Sequence, residues 1–193
     1  MSDTWKAAII EGAMVLVGVL LALFLDSWRE DVEFQTRVDV TEAKIVEEIR
    51  GNRDRIVEYK ADFRRRAVQL AEWGEALDPE IGILRQLDGF PGIPSTFINR
   101  SAWSMANNSQ ITEHLDYAFY DAAFELYAAG AVSESRLGIA LDLFFDVQGF
   151  DARHTQNLLD VMKLYFQDII SNLETAEYEH NRFLKEFGGT PPS

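Results

Sequence analysis

The chain has 193 residues and a formal net charge of −14, because 32 Asp and Glu residues outnumber 18 Lys and Arg residues. Binding to nucleic acid needs clustered Lys and Arg, so this balance argues against DNA or RNA as a partner. The acidity also disfavours a broad contact with anionic lipid, and its simplest interpretation is solubility. Cysteine is absent, which excludes neither an oxidising nor a reducing compartment.

Near the N-terminus, residues 7–25 form an apolar run in which Glu11 is the only charged residue. A helix needs about 20 residues to cross a bilayer, at about 1.5 Å per residue. Trp5 and Trp28 bracket the run about 34 Å apart along a helix, so we predict that they lie at the two membrane interfaces. The sequence therefore predicts a short N-terminus over residues 1–6 and a membrane anchor over residues 7–27, with lipid as one partner.

A cleaved signal peptide is the competing interpretation of this run. The apolar part of a signal peptide is usually about 7–15 residues long and ends at small residues. Here the run is longer, and Asp26, Ser27 and Trp28 follow it. We therefore favour an uncleaved anchor.

Two features of the sequence predict opposite orientations of the anchor in the membrane. Arg29, Arg37 and Lys44 follow the run whereas Lys6 precedes it, so the count of basic residues favours a cytoplasmic C-terminal domain. Long domains translocate largely regardless of charge, however, and the short N-terminus is typical of a signal anchor. We expect the C-terminal domain on the extracytoplasmic side.

Downstream of the anchor, the sequence predicts a helical bundle over residues 28–187 and a flexible tail over residues 188–193. Apolar residues recur at steps of three and four without any proline as far as Asp78-Pro79, which is typical of a long amphipathic helix. Asn52 and Arg66 fall in the same register, and Gly51 is a candidate kink. The apolar stripe consists of Val38, Ile45, Ile49, Ile56, Tyr59, Phe63, Leu70, Trp73 and Leu77.

Four more helices are predicted after a loop at residues 88–95, which is rich in glycine and proline. They are a short helix over Arg100 to Asn107, one over residues 111–129 that stops at Gly130, one over residues 133–149, and one over Asp151 to Phe187. In the helix over residues 111–129, the predicted core face is Ile111, Leu115, Phe119, Ala122, Leu126 and Ala129. In the last helix, the predicted core face is Leu158, Val161, Leu164, Tyr165, Ile169, Leu173 and Ala176. No strand pattern is visible, so the predicted fold class is all-α.

The stretch EGAMVLVGVLLALFLDSWRE, which starts at Glu11, resembles the N-terminal signature of an uncharacterised family of bacterial single-pass membrane proteins. The shared pattern is Glu11, Gly18 seven residues later, an aliphatic half-span, and Trp28 followed by the acid Glu30. EEIRGN at residues 47–52 and SAWSMANNSQIT at residues 101–112 extend the resemblance. It implies a membrane helix followed by a helical domain in the bacterial inner membrane and implies no activity. Relatives with basic N-terminal leaders imply a periplasmic C-terminal domain.

One face of the anchor carries both its acid and its small residues. An acid within a membrane helix is costly unless it is paired, and small residues four apart allow two helices to approach closely. We therefore predict that this face associates with other transmembrane helices, from a second copy or a larger complex. Two alternatives remain: Glu11 near the interface draws water or is protonated, or it transfers protons. The predicted face consists of Ala8, Glu11, Val15, Gly18, Ala22 and Leu25.

Motifs for catalysis or metal binding are sparse. Asp151 with His154, and Glu177 with His180, have the spacing that di-iron bundles use. The two pairs lie about 39 Å apart on one predicted helix, so they cannot share a site, and abundant acids produce such pairs by chance. No phosphate-binding loop or nucleophile motif is present. We expect no cofactor, no metal and no enzymatic activity.

An aromatic-rich region begins in the short helix and continues into the next one, and it fits either core packing or a partner-binding groove. Its members are Trp103, Tyr117, Tyr120, Phe124 and Tyr127. The sequence as a whole predicts a non-enzymatic, membrane-anchored accessory or scaffold protein, in a larger complex or a homo-oligomer. The alternative is a membrane-tethered sensor or stator-like protein that uses Glu11 in the membrane.

Overall fold

The computed structural model describes residues 3–93, 98–144 and 151–189, and these residues form helices and connecting turns without a strand. In residues 3–10 and 131–144, the description covers the helix but not its side chains. The α-helices in the described parts are α1 (Asp3–Glu75), α2 (Ser101–Asn107), α3 (Tyr117–Phe144) and α4 (Thr155–Phe187). Short 3₁₀ turns lie at Ile83–Arg85, Gln110–His114 and Ala152–His154. The all-α prediction is confirmed.

Helix α1 contains both the apolar run and the amphipathic stripe in one uninterrupted element of 73 residues. At about 1.5 Å per residue it is about 108 Å long. No proline interrupts it, and it continues through Gly51 and ends three residues before Asp78-Pro79. The prediction of a helix that runs from the apolar segment into the domain is therefore confirmed.

Helix α4 packs antiparallel along the downstream half of α1. Lys60 pairs with Glu177 and Arg64 pairs with Glu174, so positions rise along one helix as they fall along the other. The predicted stripe of α1 lies in this interface, and only Tyr59 and Leu77 of it are partly exposed. The fully buried members are Val38, Ile45, Ile49, Ile56, Phe63 and Leu70.

The predicted core face of α4 is partly wrong. Val161 and Leu164 are exposed, whereas the main buried residues of α4 are Leu159, Met162, Phe166, Leu173 and Phe183. The cause is that α4 packs against both α1 and α3. Its buried face is set by the two neighbours together, and a shift of one residue turns a side chain by about 100°.

The predicted stop at Gly130 is also wrong, because α3 runs through it to Phe144. A glycine ends a helix when it adopts the left-handed conformation, and the described glycines with positive φ are Gly89 and Gly92. The predicted helices over residues 111–129 and 133–149 are therefore largely one helix, and residues 145–149 lie outside the described residues.

The start of α3 also differs from the prediction. Residues 110–114 form a 3₁₀ turn, and the Asp116 carboxylate accepts hydrogen bonds from the backbone N–H groups of Ala118 and Phe119, at 2.9 and 3.1 Å. An aspartate in this position caps a helix and fixes where it begins. Over residues 117–130, where the side chains of α3 are described, the buried residues are Phe119, Ala123 and Tyr127. The predicted members Ala122 and Leu126 are only partly buried, one position away from Ala123 and Tyr127.

The described part of the linker between α1 and α2 contacts α1. Trp73 Nε1 donates hydrogen bonds to the carbonyl oxygens of Gln86 and Asp88, both at 3.1 Å, and the Arg66 guanidinium donates to the carbonyl of Pro91. Arg66 is therefore a polar member of the stripe because it binds the linker. Residues 94–95 of the predicted loop, and residues 190–193 of the predicted tail, lie outside the described residues.

Candidate functional site

The first candidate site is the apolar segment of α1, residues 11–25. Every residue of this segment is exposed, and none of the most apolar 18-residue window of α1 is buried. Contacts with the rest of the fold begin at Phe34, whose ring meets that of His114 edge-on at 4.6 Å, and the core begins at Val38. This part of α1 is long and apolar enough to cross a membrane.

The predicted association face is open along this segment. Glu11, Val15, Gly18, Ala22 and Leu25 are all exposed, and a methyl group added at Gly18 would meet nothing within 4 Å. These residues follow one line of the helix surface because they are spaced by three and four. The face is therefore accessible to another helix, and its association stays a prediction.

Of the two predicted interface tryptophans, Trp28 has a described side chain and Trp5 does not. Trp28 is exposed at the end of the apolar segment. Trp5, like Ala8 of the association face, lies within α1, but its side chain is outside the described residues.

The second candidate site is a buried polar cluster that sequence reasoning missed. The Glu48 carboxylate on α1 is buried and accepts four hydrogen bonds. Two come from the first turn of α2, from the backbone N–H groups of Ala102 at 2.8 Å and Trp103 at 3.2 Å. The others come from the hydroxyls of Ser101 at 2.9 Å and Tyr127 at 2.7 Å. Glu48 therefore caps α2 and ties α3 to α1.

Asn52, one turn further along α1, is fully buried, and its side-chain amide both donates to and accepts from the backbone of Asn99. Its Nδ2 donates to the Asn99 carbonyl at 2.8 Å, and its Oδ1 accepts from the Asn99 N–H at 2.8 Å. We call Glu48, Asn52 and the backbone of residues 99–103 the clasp. EEIRGN at residues 47–52 and the start of SAWSMANNSQIT at residues 101–112 meet here, so the clasp gives both segments a structural role.

The predicted aromatic surface divides into a buried and an exposed part. Trp103 and Tyr127 are buried and stack with ring centroids 5.2 Å apart, and Tyr120 packs on Trp103 at 5.5 Å. Tyr117 is 79% exposed and Phe124 is 51% exposed. Burial with a hydrogen bond to Glu48 raises the pKa of Tyr127 well above its usual value, so its hydroxyl stays a donor. Of the predicted surface, Tyr117 and Phe124 are the members that are exposed.

Three members of the two carboxylate–histidine pairs, Asp151, Glu177 and His180, have other partners, whereas His154 Nδ1 lies 3.7 Å from Asp151 Oδ2. Glu177 pairs with Lys60, and His180 Nδ1 lies 2.7 Å from the carbonyl oxygen of Ala176. Hydrogen bonds from the Arg153 guanidinium hold the pKa of Asp151 down at about 2. Among residues 11–93, 98–130 and 151–189, no group of three or more His, Asp or Glu side chains is placed to bind a metal.

The third candidate site is a partly enclosed cavity of about 550 Å³ between α1, α3 and α4. The facing positions of α3 and α4 carry small side chains, which leave the space between the helices unfilled. These small residues are Ala122, Ala129, Gly130, Thr175 and Ala176. Two of the residues that line the cavity, Tyr165 and His180, each carry a buried polar atom, the hydroxyl and Nε2, for which the described residues provide no hydrogen-bond partner.

Comparison of the chain with protein-family models, with curated proteins and with solved structures gave no significant match. The apolar segment, the clasp and the cavity are therefore the features on which a function can be proposed.

Proposed function

We propose that the protein is a non-enzymatic accessory or scaffold protein of the bacterial inner membrane, with residues 7–27 as its single membrane span. The observation that carries this proposal is the exposed apolar segment of α1, which continues without a break into the central helix of the bundle. Exposed apolar surface of this extent is costly in water and is favourable in lipid. The resemblance to single-pass membrane proteins of bacteria supports the same location.

The junction between the apolar segment and the bundle supports a scaffold role. Residues 19–50 contain neither glycine nor proline, and exposed pairs one turn apart, such as Arg29 with Glu33 at 2.8 Å, brace the helix. Each such pair contributes about 0.3–0.5 kcal/mol. Asp26 and Val38 are separated by about 18 Å along the axis, so the helix fixes both the height and the rotation of the bundle relative to the span.

The partner in this proposal is another transmembrane helix, which binds the face that carries Glu11, Gly18 and Ala22. Gly18 and Ala22 lie one turn apart and are exposed, which allows a second backbone to approach closely. Glu11 lies on the same line and supplies a hydrogen-bonding group that a partner helix can satisfy. The partner is a second copy of this chain or a subunit of a larger complex.

The test is purification of the full chain from its own membranes in mild detergent, with the mass of the assembly measured by light scattering. We expect a homo-oligomer, or a stoichiometric membrane-protein partner, that is lost in Gly18→Leu and weakened in Glu11→Leu. Ala13→Leu is the matched control because it adds the same side chain on the opposite side of the helix, and it should leave the assembly intact. A monomer without partner, or equal assembly in Gly18→Leu and Ala13→Leu, would contradict the proposal.

A further inference from the structure

The cavity between α1, α3 and α4 is a groove with an apolar floor and an open rim. Ile56 of α1 and Leu173 and Phe183 of α4 line it and are buried, whereas Glu125 of α3 lines it and is exposed. Along α4 the lining extends from Tyr165 to Glu186, which is about 31 Å of helix. An apolar floor that stays open to solvent along a pair of helices is the surface that amphipathic peptide helices bind.

The cavity lies where a further helix would complete the bundle. Helix α4 packs on α1 along one side and on α3 along another, and the cavity separates α3 from α4 over part of their length. In a four-helix bundle a fourth helix fills such a space. The small side chains of Ala122, Thr175 and Ala176 at the edges of the cavity allow the side chains of another helix to enter it.

The acids of α4 are paired on the side that faces α1 and unpaired on the side that faces the cavity. Glu174 and Glu177 each form an ion pair with a basic residue of α1. In the cavity, Asp168 and Glu186 of α4 and Glu125 of α3 have no basic partner in the described parts of the chain. The packed side of α4 therefore shows what the open side lacks, which is a helix with basic residues along its edge.

Arg182 does not neutralise these acids. It lines the cavity, but it pairs with a fourth acid of the lining, Glu179, at 2.9 Å. The rim therefore attracts a basic partner and repels an acidic one, and such complementarity determines which partner binds more than how tightly it binds.

We propose that this cavity binds a basic, amphipathic helix of a partner protein. The apolar side chains of that helix enter the cavity between α3 and α4, and its Lys or Arg residues lie along the rim, where they pair with Glu125, Asp168 and Glu186. This interface goes beyond the association face of the span, because all of its residues belong to the bundle.

The experiment uses the full chain in zwitterionic lipid nanodiscs and a fluorescent model peptide of about 18 residues, which is about 27 Å long as a helix. The peptide consists of leucine, lysine and alanine, with leucines at steps of three and four and one benzophenone residue on the leucine face. Fluorescence anisotropy measures binding against empty nanodiscs, and mass spectrometry maps the crosslinks. We expect saturable binding, with crosslinks in Ala122–Gly130 and Tyr165–Glu186.

Two control peptides separate the contributions of shape and charge. One has the same composition but scattered leucines, so it has no apolar face, and the other has glutamate in place of lysine. Each should bind about tenfold more weakly than the basic amphipathic peptide.

The rim charges are tested by a matched pair of double variants. Glu125→Gln with Glu186→Gln should weaken binding about three- to tenfold and reduce its dependence on salt. Glu58→Gln with Glu72→Gln removes the same charge from exposed positions of α1 outside the cavity, and it should leave binding unchanged.

The cavity itself is tested by blocking it. Thr175→Trp places a large ring at an exposed edge of the cavity, so it should abolish binding without disturbing the core. Asn181→Trp adds the same ring at an exposed position on the opposite side of α4, and it should bind the peptide like the unaltered chain.

Three results would overturn the proposal. The first is equal binding of the three peptides or of the two double variants, which would mean that the acidic chain attracts the peptide without a site. The second is crosslinking outside the cavity alone. The third is equal binding in Thr175→Trp and Asn181→Trp. Gly18→Leu should bind the peptide like the unaltered chain, so the cavity and the association face fail separately.

Discussion

Removal of the Glu48 carboxylate tests whether the clasp holds the bundle together. In Glu48→Ala, the Ser101 hydroxyl can turn towards water, but the N–H groups of Ala102 and Trp103 and the Tyr127 hydroxyl lose their acceptor in a buried position. A buried donor left without a partner costs about 1–3 kcal/mol. The costs are not additive, and each hydrogen bond to a charged group contributes about 1.5–3 kcal/mol, so the whole set should amount to about 3–5 kcal/mol. We expect a loss of that size.

Hydrogen exchange measured by mass spectrometry is the suitable assay, because the apolar segment of α1 need not unfold. A loss of about 3–5 kcal/mol corresponds to roughly 10²-fold to 4 × 10³-fold faster exchange of the amides in residues 99–107. Glu48→Gln keeps one acceptor oxygen and should give an intermediate effect. Glu47→Ala is the matched control, since Glu47 is exposed and pairs only with Arg50 at 2.6 Å among its described contacts. Its expected effect is below about 1 kcal/mol. If Glu48→Ala and Glu47→Ala exchange at the same rate, the clasp does not stabilise the fold.

Two further predictions concern packing and pH. Gly51→Ala should raise the free energy of unfolding by about 0.5–1 kcal/mol, because its added methyl group meets nothing within 4 Å and alanine favours a helix. Gly74→Ala should instead lower the free energy of unfolding by about 1 kcal/mol or more, since its methyl group would lie 2.6 Å from Leu159 Cδ2 in the α1–α4 interface. Urea denaturation of the two variants measures both changes. The pKa of His180 is lowered in the fold, so the unfolded chain takes up its proton first as the pH falls below about 6.5. The free energy of unfolding should therefore decrease below that pH, by up to about 1.4 kcal/mol per pH unit, and this contribution should vanish in His180→Phe; an equal pH dependence of the two proteins would refute it.

Helix α1 was predictable because its evidence is local. The absence of proline and the recurrence of apolar residues every three and four positions are visible in the sequence, and the stripe from Val38 to Trp73 is indeed buried. The two polar residues in the register of the stripe, Asn52 and Arg66, bind the backbone of the linker.

The errors and omissions arose where distant residues decide the structure. Val161 and Leu164 continue a plausible helical pattern, but the position of α3 turns them to solvent. Glu48 reads as one acid among many, since its partners lie 53 to 79 residues further along the chain. A local spacing pattern cannot reveal such partners, because only the tertiary packing brings them together. His180 has the sequence spacing of a metal ligand with Glu177, whereas in the fold its Nδ1 contacts the Ala176 carbonyl and Glu177 pairs with Lys60.

The central claim is that α1 crosses the membrane and carries the bundle on its far side. The chain has no cysteine, so single cysteines introduced as Ser2→Cys and Ser193→Cys can be labelled without background. Intact spheroplasts are treated with a membrane-impermeant thiol reagent, and lysed spheroplasts give the total labelling. The account predicts that Ser193→Cys is labelled in intact spheroplasts and Ser2→Cys only after lysis. Labelling of both positions from the same side would contradict a single span, and the reverse pattern would place the bundle in the cytoplasm.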